Sequence, residues 1–273
     1  MKLENIKIRQ DLSEEEIAKY ACKKNRINFN SVKQYKILKK SIDARNKDDV
    51  HYIYSIEIIT LDEMDKQEKK ETTIPKVTNI EEPVAIVGAG PAGLFCAITL
   101  IENGVKPIIV EQGKKVEERM KDVAEFIKNG KLNPLSNVQF GEGGAGTFSD
   151  GKLTTNLHNP LCKKVIETFI KFGAPSEIGY INKPHIGTDN LVKILQNIRK
   201  YLLDNRAEIL FQEKVKDLEI EEDKIKGIIC ESGKEIKANT VVLAIGHSAR
   251  DMFETLHNKK ISMQRKNFSV GLR

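Results

Sequence analysis

The chain has 273 residues, enough for about two domains of ordinary size, and 40% of them are apolar while 6% are aromatic. Lysine and arginine number 45 against 39 acidic residues, a net charge of +6, and the two signs alternate along the chain. Basic residues never run longer than doublets, so no nucleic-acid-binding stripe is indicated. This is the composition of a soluble globular protein.

The cysteines lie far apart, with no C-x-x-C pair, which argues against a zinc ribbon, an iron–sulfur cluster or a dithiol redox pair. They are Cys22, Cys96, Cys162 and Cys230. We expect reduced thiols and a cytoplasmic protein, because the charged N-terminus lacks the apolar stretch of a signal peptide. The uncharged run from Val84 to Ile101 contains glycines and a proline, so we expect no membrane span.

Residues 1–75 are predicted to form a small α/β domain with a linker. A short strand surrounds Lys7, and Ser13 with Glu16 forms a capping box that begins a helix. The stretches Tyr35–Ala44 and Val50–Thr60 predict two strands, the second with every other residue buried. From Asp62 to Pro83 the sequence becomes charged and loses its periodicity, which indicates a linker.

Beyond Pro83 the pattern changes to that of a β-α-β unit. Val84–Val87 is apolar throughout and ends at a glycine, which predicts a buried parallel strand. Apolar residues at helical spacing follow, and Pro107–Val110 supplies the next strand. Helices are predicted over Lys115–Lys128, Cys162–Phe172 and Asp189–Asp204. A three-stranded meander is predicted over Ala207–Val215, Lys216–Glu221 and Lys224–Cys230, and a last buried strand over Thr240–Ile245.

The turn after the first of these strands reads G-x-G-x-x-G, with Gly88 for the tight turn, Gly90 for room beside a pyrophosphate and Gly93 for close helix packing. Pro91 and Ala92 lie in the first helical turn, where free amides favour an anion. Glu111 follows at about the 20-residue spacing of a ribose-binding carboxylate, and it would repel the 2′-phosphate of NADP. The alternative is a structural turn with a surface glutamate. Within the binding interpretation, NAD and FAD both remain open.

A second glycine cluster runs from Gly141 to Lys152. Consecutive small residues allow backbone amides to converge on an anion or a flat ring. The alternative is a flexible turn.

Several motifs in one order resemble those of bacterial FAD-dependent dehydrogenases, members of the wider glutathione-reductase-like flavoproteins. They are Ser41–Arg45, Val84–Gly93, Glu111, Asn137–Gly146, Lys183–Asp189 and Ala244–Arg250. The fold that this resemblance implies is α/β, a Rossmann-like FAD-binding domain with a β-meander, preceded by the small N-terminal α/β domain.

The resemblance also implies a set of FAD-binding residues. Glu111 would bind the adenosine ribose, Val215 would present its backbone to adenine, and Lys152 would approach the flavin. Ile245 departs from the usual Ala-Thr-Gly of the last motif, and Gln112 replaces a common arginine. The complete set is Gly88, Gly90, Pro91, Ala92, Gly93, Glu111, Gln112, Gly143, Gly144, Ala145, Gly146, Lys152, Val215, Ala244, Ile245 and Gly246.

We therefore expect an FAD-dependent oxidoreductase acting on a small molecule, with no membrane or nucleic-acid partner, no metal and no assigned catalytic residue. NAD(P)H is expected at most as a transient electron donor, because no second G-x-G-x-x-G exists. The FAD domain would span 76–260 with a helical insertion near 155–205, and residues 261–273 would begin a truncated substrate domain. The competing hypothesis is a catalytically silent nucleotide-binding or interaction module, with RNA binding by the N-terminal domain.

Overall fold

The computed structural model describes residues 1–61, 82–157 and 159–267. The described residues divide into two compact units, one of residues 1–61 with 150–157 and 159–190, the other of residues 82–149 with 191–267. The predicted linker lies almost wholly outside the described residues, and so does the end of the predicted substrate domain.

The described residues form ten strands and six α-helices. The first half contains β1 (Lys2–Ile8), α1 (Glu14–Lys24), β2 (Val32–Asp43), β3 (His51–Thr60), β4 (Val84–Val87), α2 (Pro91–Glu102), β5 (Pro107–Glu111) and α3 (Val116–Asn129). The second half contains α4 (Pro160–Lys171), α5 (Thr188–Asp204), β6 (Glu208–Phe211), β7 (Val215–Glu221), β8 (Lys224–Cys230), β9 (Glu235–Lys237), β10 (Val241–Leu243) and α6 (Arg250–Asn258).

The first unit contains an antiparallel sheet in the order β1-β3-β2. The predicted alternation in β3 is confirmed, because Tyr54, Ile56 and Ile58 are buried in one core with residues of α1. The capping box is also confirmed: the Ser13 amide donates to Glu16 Oε2 at 2.9 Å, and the Glu16 amide donates to Ser13 Oγ at 3.3 Å.

Residues 150–190 group with this sheet. The Lys40 amide donates to the Tyr180 carbonyl at 2.7 Å, and the Asn182 amide donates to the Lys40 carbonyl at 3.0 Å. These backbone bonds extend the edge of β2. Of the helical insertion that the sequence predicted near 155–205, the described residues up to 190 group with the first unit and residues 191–205 group with the second.

The second unit contains a parallel sheet in the order β10-β4-β5-β6. The chain passes outward from β4 to β6 and then returns to the other side of β4, which makes the boundary between β4 and β10 a topological switch point. A hypothetical Cβ at Gly93 of α2 would lie 3.3 Å from Ile86 Cγ2, so α2 packs on one face of β4. The predicted Rossmann-like α/β fold is confirmed.

The opposite face of the sheet is covered by the antiparallel meander β7-β8-β9 and by α6. The meander prediction was wrong in one strand: β6 pairs in parallel with β5, and β9 supplies the third meander strand instead. The stretch Ala207–Val215 is interrupted at Gln212, where φ is +59° and the amide donates to the Gly113 carbonyl. Among the described residues, no helix has the length and apolar character needed to cross a bilayer.

Candidate cofactor-binding site

A cavity of about 530 Å³ opens at the carboxyl ends of β4 and β10. Parallel sheets bind ligands at this place because the connections from two neighbouring strands diverge there. The volume lies within the range of roughly 300–1,000 Å³ that is typical of small-molecule and cofactor sites.

Most of the predicted binding residues line this cavity. They are Gly88, Gly90, Pro91, Ala92, Glu111, Gln112, Gly144, Ala145, Val215, Ala244, Ile245 and Gly246. The predicted residues that do not line it are Gly93, Gly143, Gly146 and Lys152. Further lining residues that the predicted set did not include are Gln139, Phe140, Gly141, Glu213, Lys214, His247, Ser248, Asp251, Met252 and Phe253.

The three glycines of the first loop have three different environments. Gly88 has φ of +107°, and a Cβ there would lie 2.4 Å from the Ala244 carbonyl oxygen. At Gly90 a Cβ would have Gly144 Cα, at 3.9 Å, as its nearest neighbour from another part of the chain, so this position faces open space in the cavity. At Gly93 a Cβ would lie 2.0 Å from the Gly88 carbonyl oxygen, because α2 begins directly against the turn.

Glu111 is buried at the end of β5, with 5% of its surface exposed. Its Oε2 accepts from the Ala89 amide at 2.8 Å, and its Oε1 accepts from the amides of Gly113 at 2.8 Å and Gly141 at 3.0 Å. A carboxylate offers about four acceptor positions. The predicted ribose contact therefore stays a prediction for the remaining position, and the carboxylate also connects the two glycine loops.

The amides of the second glycine loop are largely used within the protein. The amide of Glu142 donates to the Lys114 carbonyl at 3.1 Å. The amide of Gly143 donates to the Ala89 carbonyl at 2.8 Å, and the amide of Gly144 donates to the Gly141 carbonyl at 3.0 Å. These three amides hold the loop against its neighbours, and Gly144 and Ala145 form part of the cavity wall. The predicted approach of this loop to a ligand stays a prediction.

Arg119 is a fully buried residue that sequence reasoning missed. Its guanidinium donates to the carbonyls of Asn137 at 2.7 Å, Val138 at 2.9 Å and Glu142 at 2.7 Å. Burial lowers the pKa of Arg119 to about 10, against the opposing effect of nearby carboxylates. Nothing in the sequence distinguishes this arginine from a surface residue of α3.

A second buried charge, Glu142, lies in the same loop with 1% of its surface exposed. Its Oε2 accepts from the Val116 amide at 2.8 Å and from Arg199 Nη1 at 2.6 Å. Burial raises the pKa of Glu142 to about 7, although the Val116 amide and Arg199 favour the ionised form. Arg199 also binds Glu117 and lowers the pKa of that carboxyl to about 2.

The segment after β10 forms another wall of the cavity. The Ala244 amide donates to the Val87 carbonyl at 2.8 Å, which fixes this segment beside the first glycine turn. His247 lines the cavity and has its Nε2 3.2 Å from Ser248 Oγ.

Lys152 belongs to the first unit, where its Nζ lies 2.7 Å from Asp150 Oδ2. Its predicted approach to a flavin stays a prediction. Within the described ranges, no group of three or more His, Cys, Asp or Glu side chains is arranged to hold a metal ion.

A parallel sheet with a glycine-lined crevice at its switch point defines a dinucleotide-binding domain of the Rossmann-like class. Residues 81–130, which include the first glycine loop, match the family described as FAD binding domain. Residues 189–271 match the family described as Glucose inhibited division protein A, and residues 1–59 match a domain of unknown function (DUF8436). The match over the glycine loop supports FAD as the dinucleotide.

Two relatives extend over much of the chain. The chain is 38% identical to an uncharacterized protein of Clostridium beijerinckii, an alignment that covers 100% of this chain and 54% of the relative. It is 26% identical to thiamine thiazole synthase of Methanococcus vannielii, over 71% of this chain and 64% of that enzyme. The chain thus spans about half the length of the first relative.

Solved structures with a similar arrangement share little sequence with this chain. THI4 of Thermovibrio ammonificans is 18% identical, with 65% of this chain and 62% of that chain covered and a TM-score of 0.44. L-proline dehydrogenase from P. horikoshii is 15% identical, with 67% and 57% covered and a TM-score of 0.44.

Proposed function

We propose that the chain is the FAD-binding part of a flavin-dependent oxidoreductase that acts on a small molecule. The single observation that carries the proposal is the open space at Gly90, in a crevice at the switch point of a parallel sheet. A side chain at this position would occupy the path of a pyrophosphate. When bound, FAD would supply the hydride-accepting ring, while the protein supplies position and electrostatics.

Different residues of the crevice would bind different parts of FAD. The first turn of α2, with Pro91 at its start, would hold the pyrophosphate through free amides and the positive end of the helix dipole. Glu111 would accept from a ribose hydroxyl, and Val215 at the start of β7 would face adenine. Ala244 and Gly246, beyond the end of β10, would border the cofactor on the other side of the switch point.

We also propose that the reaction is of the dehydrogenase type, in which FAD passes electrons from a small-molecule substrate to an acceptor. A cytoplasmic location is proposed as well. The family match over the first glycine loop supports FAD as the cofactor, and a nicotinamide nucleotide as transient electron donor stays an expectation from the sequence. Because the chain spans about half of its Clostridium relative, the activity of the whole protein is likewise proposed.

The cheapest test is a titration of the purified chain with FAD, followed by flavin fluorescence and by the visible absorbance bands. The Gly90→Ala variant should weaken FAD binding by about tenfold or more, because the new methyl group enters the pyrophosphate path without backbone strain. Circular dichroism should remain unchanged.

The matched control is Gly104→Asn, beyond the other end of α2. Gly104 has φ of +79°, which asparagine tolerates, and a Cβ there would meet nothing within 4 Å. The control should bind FAD like the wild type. A wild-type chain that leaves flavin fluorescence unchanged overturns the proposal, whereas FAD binding without reduction by any donor favours a catalytically silent nucleotide-binding module.

A further inference from the structure

One wall of the crevice is formed by residues of the 137–147 segment, and one guanidinium, that of Arg119, bonds to this segment at several points. Arg119 Nε, Nη1 and Nη2 donate to the carbonyls of Asn137, Glu142 and Val138, at 2.7, 2.7 and 2.9 Å. Nη1 also lies 3.3 Å from Thr147 Oγ1. All three nitrogens of the buried guanidinium therefore donate hydrogen bonds to one loop.

The geometry points to Arg119 as the positioning residue that shapes the second glycine loop before the dinucleotide binds. This inference rests on the proposed function, because it assigns the loop to the same crevice. Gln139, Phe140 and Gly141 line the cavity from this loop, while Arg119 does not line it and would act through the loop that it holds.

The loop needs such a support because of its glycines. Gly141, Gly143 and Gly144 have φ of +120°, +84° and +64°, and glycine loses more conformational freedom on ordering than any other residue. Arg119 holds carbonyl groups of the loop, and Glu111 holds an amide, since its Oε1 accepts from Gly141. The buried arginine thus binds acceptor groups of this backbone, and the buried glutamate binds a donor group.

The contact is also steric. A Cβ at Gly141 would lie 2.5 Å from Arg119 Cδ, so the loop lies directly on the stem of the arginine. Lysine keeps the charge but presents one compact ammonium in place of a planar fork with five donors. It therefore cannot reproduce bonds to the Asn137, Val138 and Glu142 carbonyls together.

The experiment compares Arg119→Lys and Arg119→Met with the wild type, first without FAD. Hydrogen exchange of the amides of Gly141 to Gly144 should accelerate by about tenfold or more in both variants, while the amides of β4 and β5 stay protected. FAD binding should weaken by a similar factor, and the visible circular dichroism of FAD bound at saturation should change because the crevice wall is less ordered.

The control is Ile228→Ala, a fully buried residue of β8 in the meander. It should lower thermal stability without changing exchange in the loop or the visible circular dichroism of bound FAD. Unchanged loop exchange in both arginine variants would overturn the inference, and so would an equal loss of FAD affinity in Ile228→Ala at matched stability. If the wild type binds no FAD, the proposed function fails, but the exchange comparison still decides whether Arg119 orders the loop.

Discussion

The carboxylate of Glu111 accepts a hydrogen bond from the Gly141 amide at 3.0 Å, and thereby joins the end of β5 to the second glycine loop. Its other oxygen accepts from the Ala89 amide in the first glycine loop at 2.8 Å. The residue predicted to bind a ribose is thus also the connection between both loops of the crevice. These backbone partners of Glu111 are present whether or not a ribose is bound.

Glu111→Gln should therefore destabilise the protein even without a cofactor. The glutamine amide group replaces one acceptor oxygen with a donor that faces a backbone N–H, and a buried donor left unpaired costs about 1–3 kcal/mol. We expect the free energy of unfolding, measured with urea, to fall by this amount. Glu118→Gln, an exposed neighbour in α3, is the control. An unchanged urea midpoint in Glu111→Gln would mean that the carboxylate serves the ligand only.

A second prediction separates two glycines of the same motif. Gly93→Ala places a Cβ 2.0 Å from the Gly88 carbonyl oxygen, so α2 must move away from β4. Overpacking of this kind costs about 1–3 kcal/mol, and we expect a lower melting temperature in the absence of FAD. Gly90→Ala should keep the wild-type melting temperature, because its Cβ enters open space. Equal melting temperatures for the two variants would contradict this division of roles.

The features that sequence reasoning predicted correctly depend on nearby residues. The Ser13–Glu16 capping box and the strand–glycine–helix order of β4 and α2 are patterns within a few positions of each other. The placement of Ala244 to Gly246 beside the first loop followed from a resemblance that covers the whole unit.

The features that it missed depend on partners far apart in the chain. Arg119 binds carbonyls about twenty residues away, and its position in α3 shows no pattern that separates it from exposed basic residues. The role of β6 was missed for a related reason, because its parallel pairing with β5 joins residues about a hundred positions apart, such as Ile109 and Ile209. Such tertiary hydrogen bonds leave no periodic signal in the sequence.

The last prediction concerns the pH dependence of stability. Burial raises the pKa of Glu142 from its ordinary value of 4.5 to about 7. Between these two values the folded protein holds a proton that the unfolded chain has released, so the free energy of unfolding should decrease as the pH rises from 4.5 to 7. The stabilising contribution is complete below 4.5 and absent above 7.

Glu142→Gln should remove this contribution, because a neutral amide cannot titrate, while its carbonyl oxygen can still accept from the Val116 amide. Urea unfolding at several pH values between 5 and 8 measures the slope. Asp251→Asn is the control, since Lys214 lowers the pKa of Asp251 below its ordinary value of 3.8 and its effect on stability belongs to the pH range below that value. If the wild type and Glu142→Gln show the same slope between pH 5 and 7, Glu142 is ionised throughout that range and its pairing with Arg199 outweighs the cost of burial.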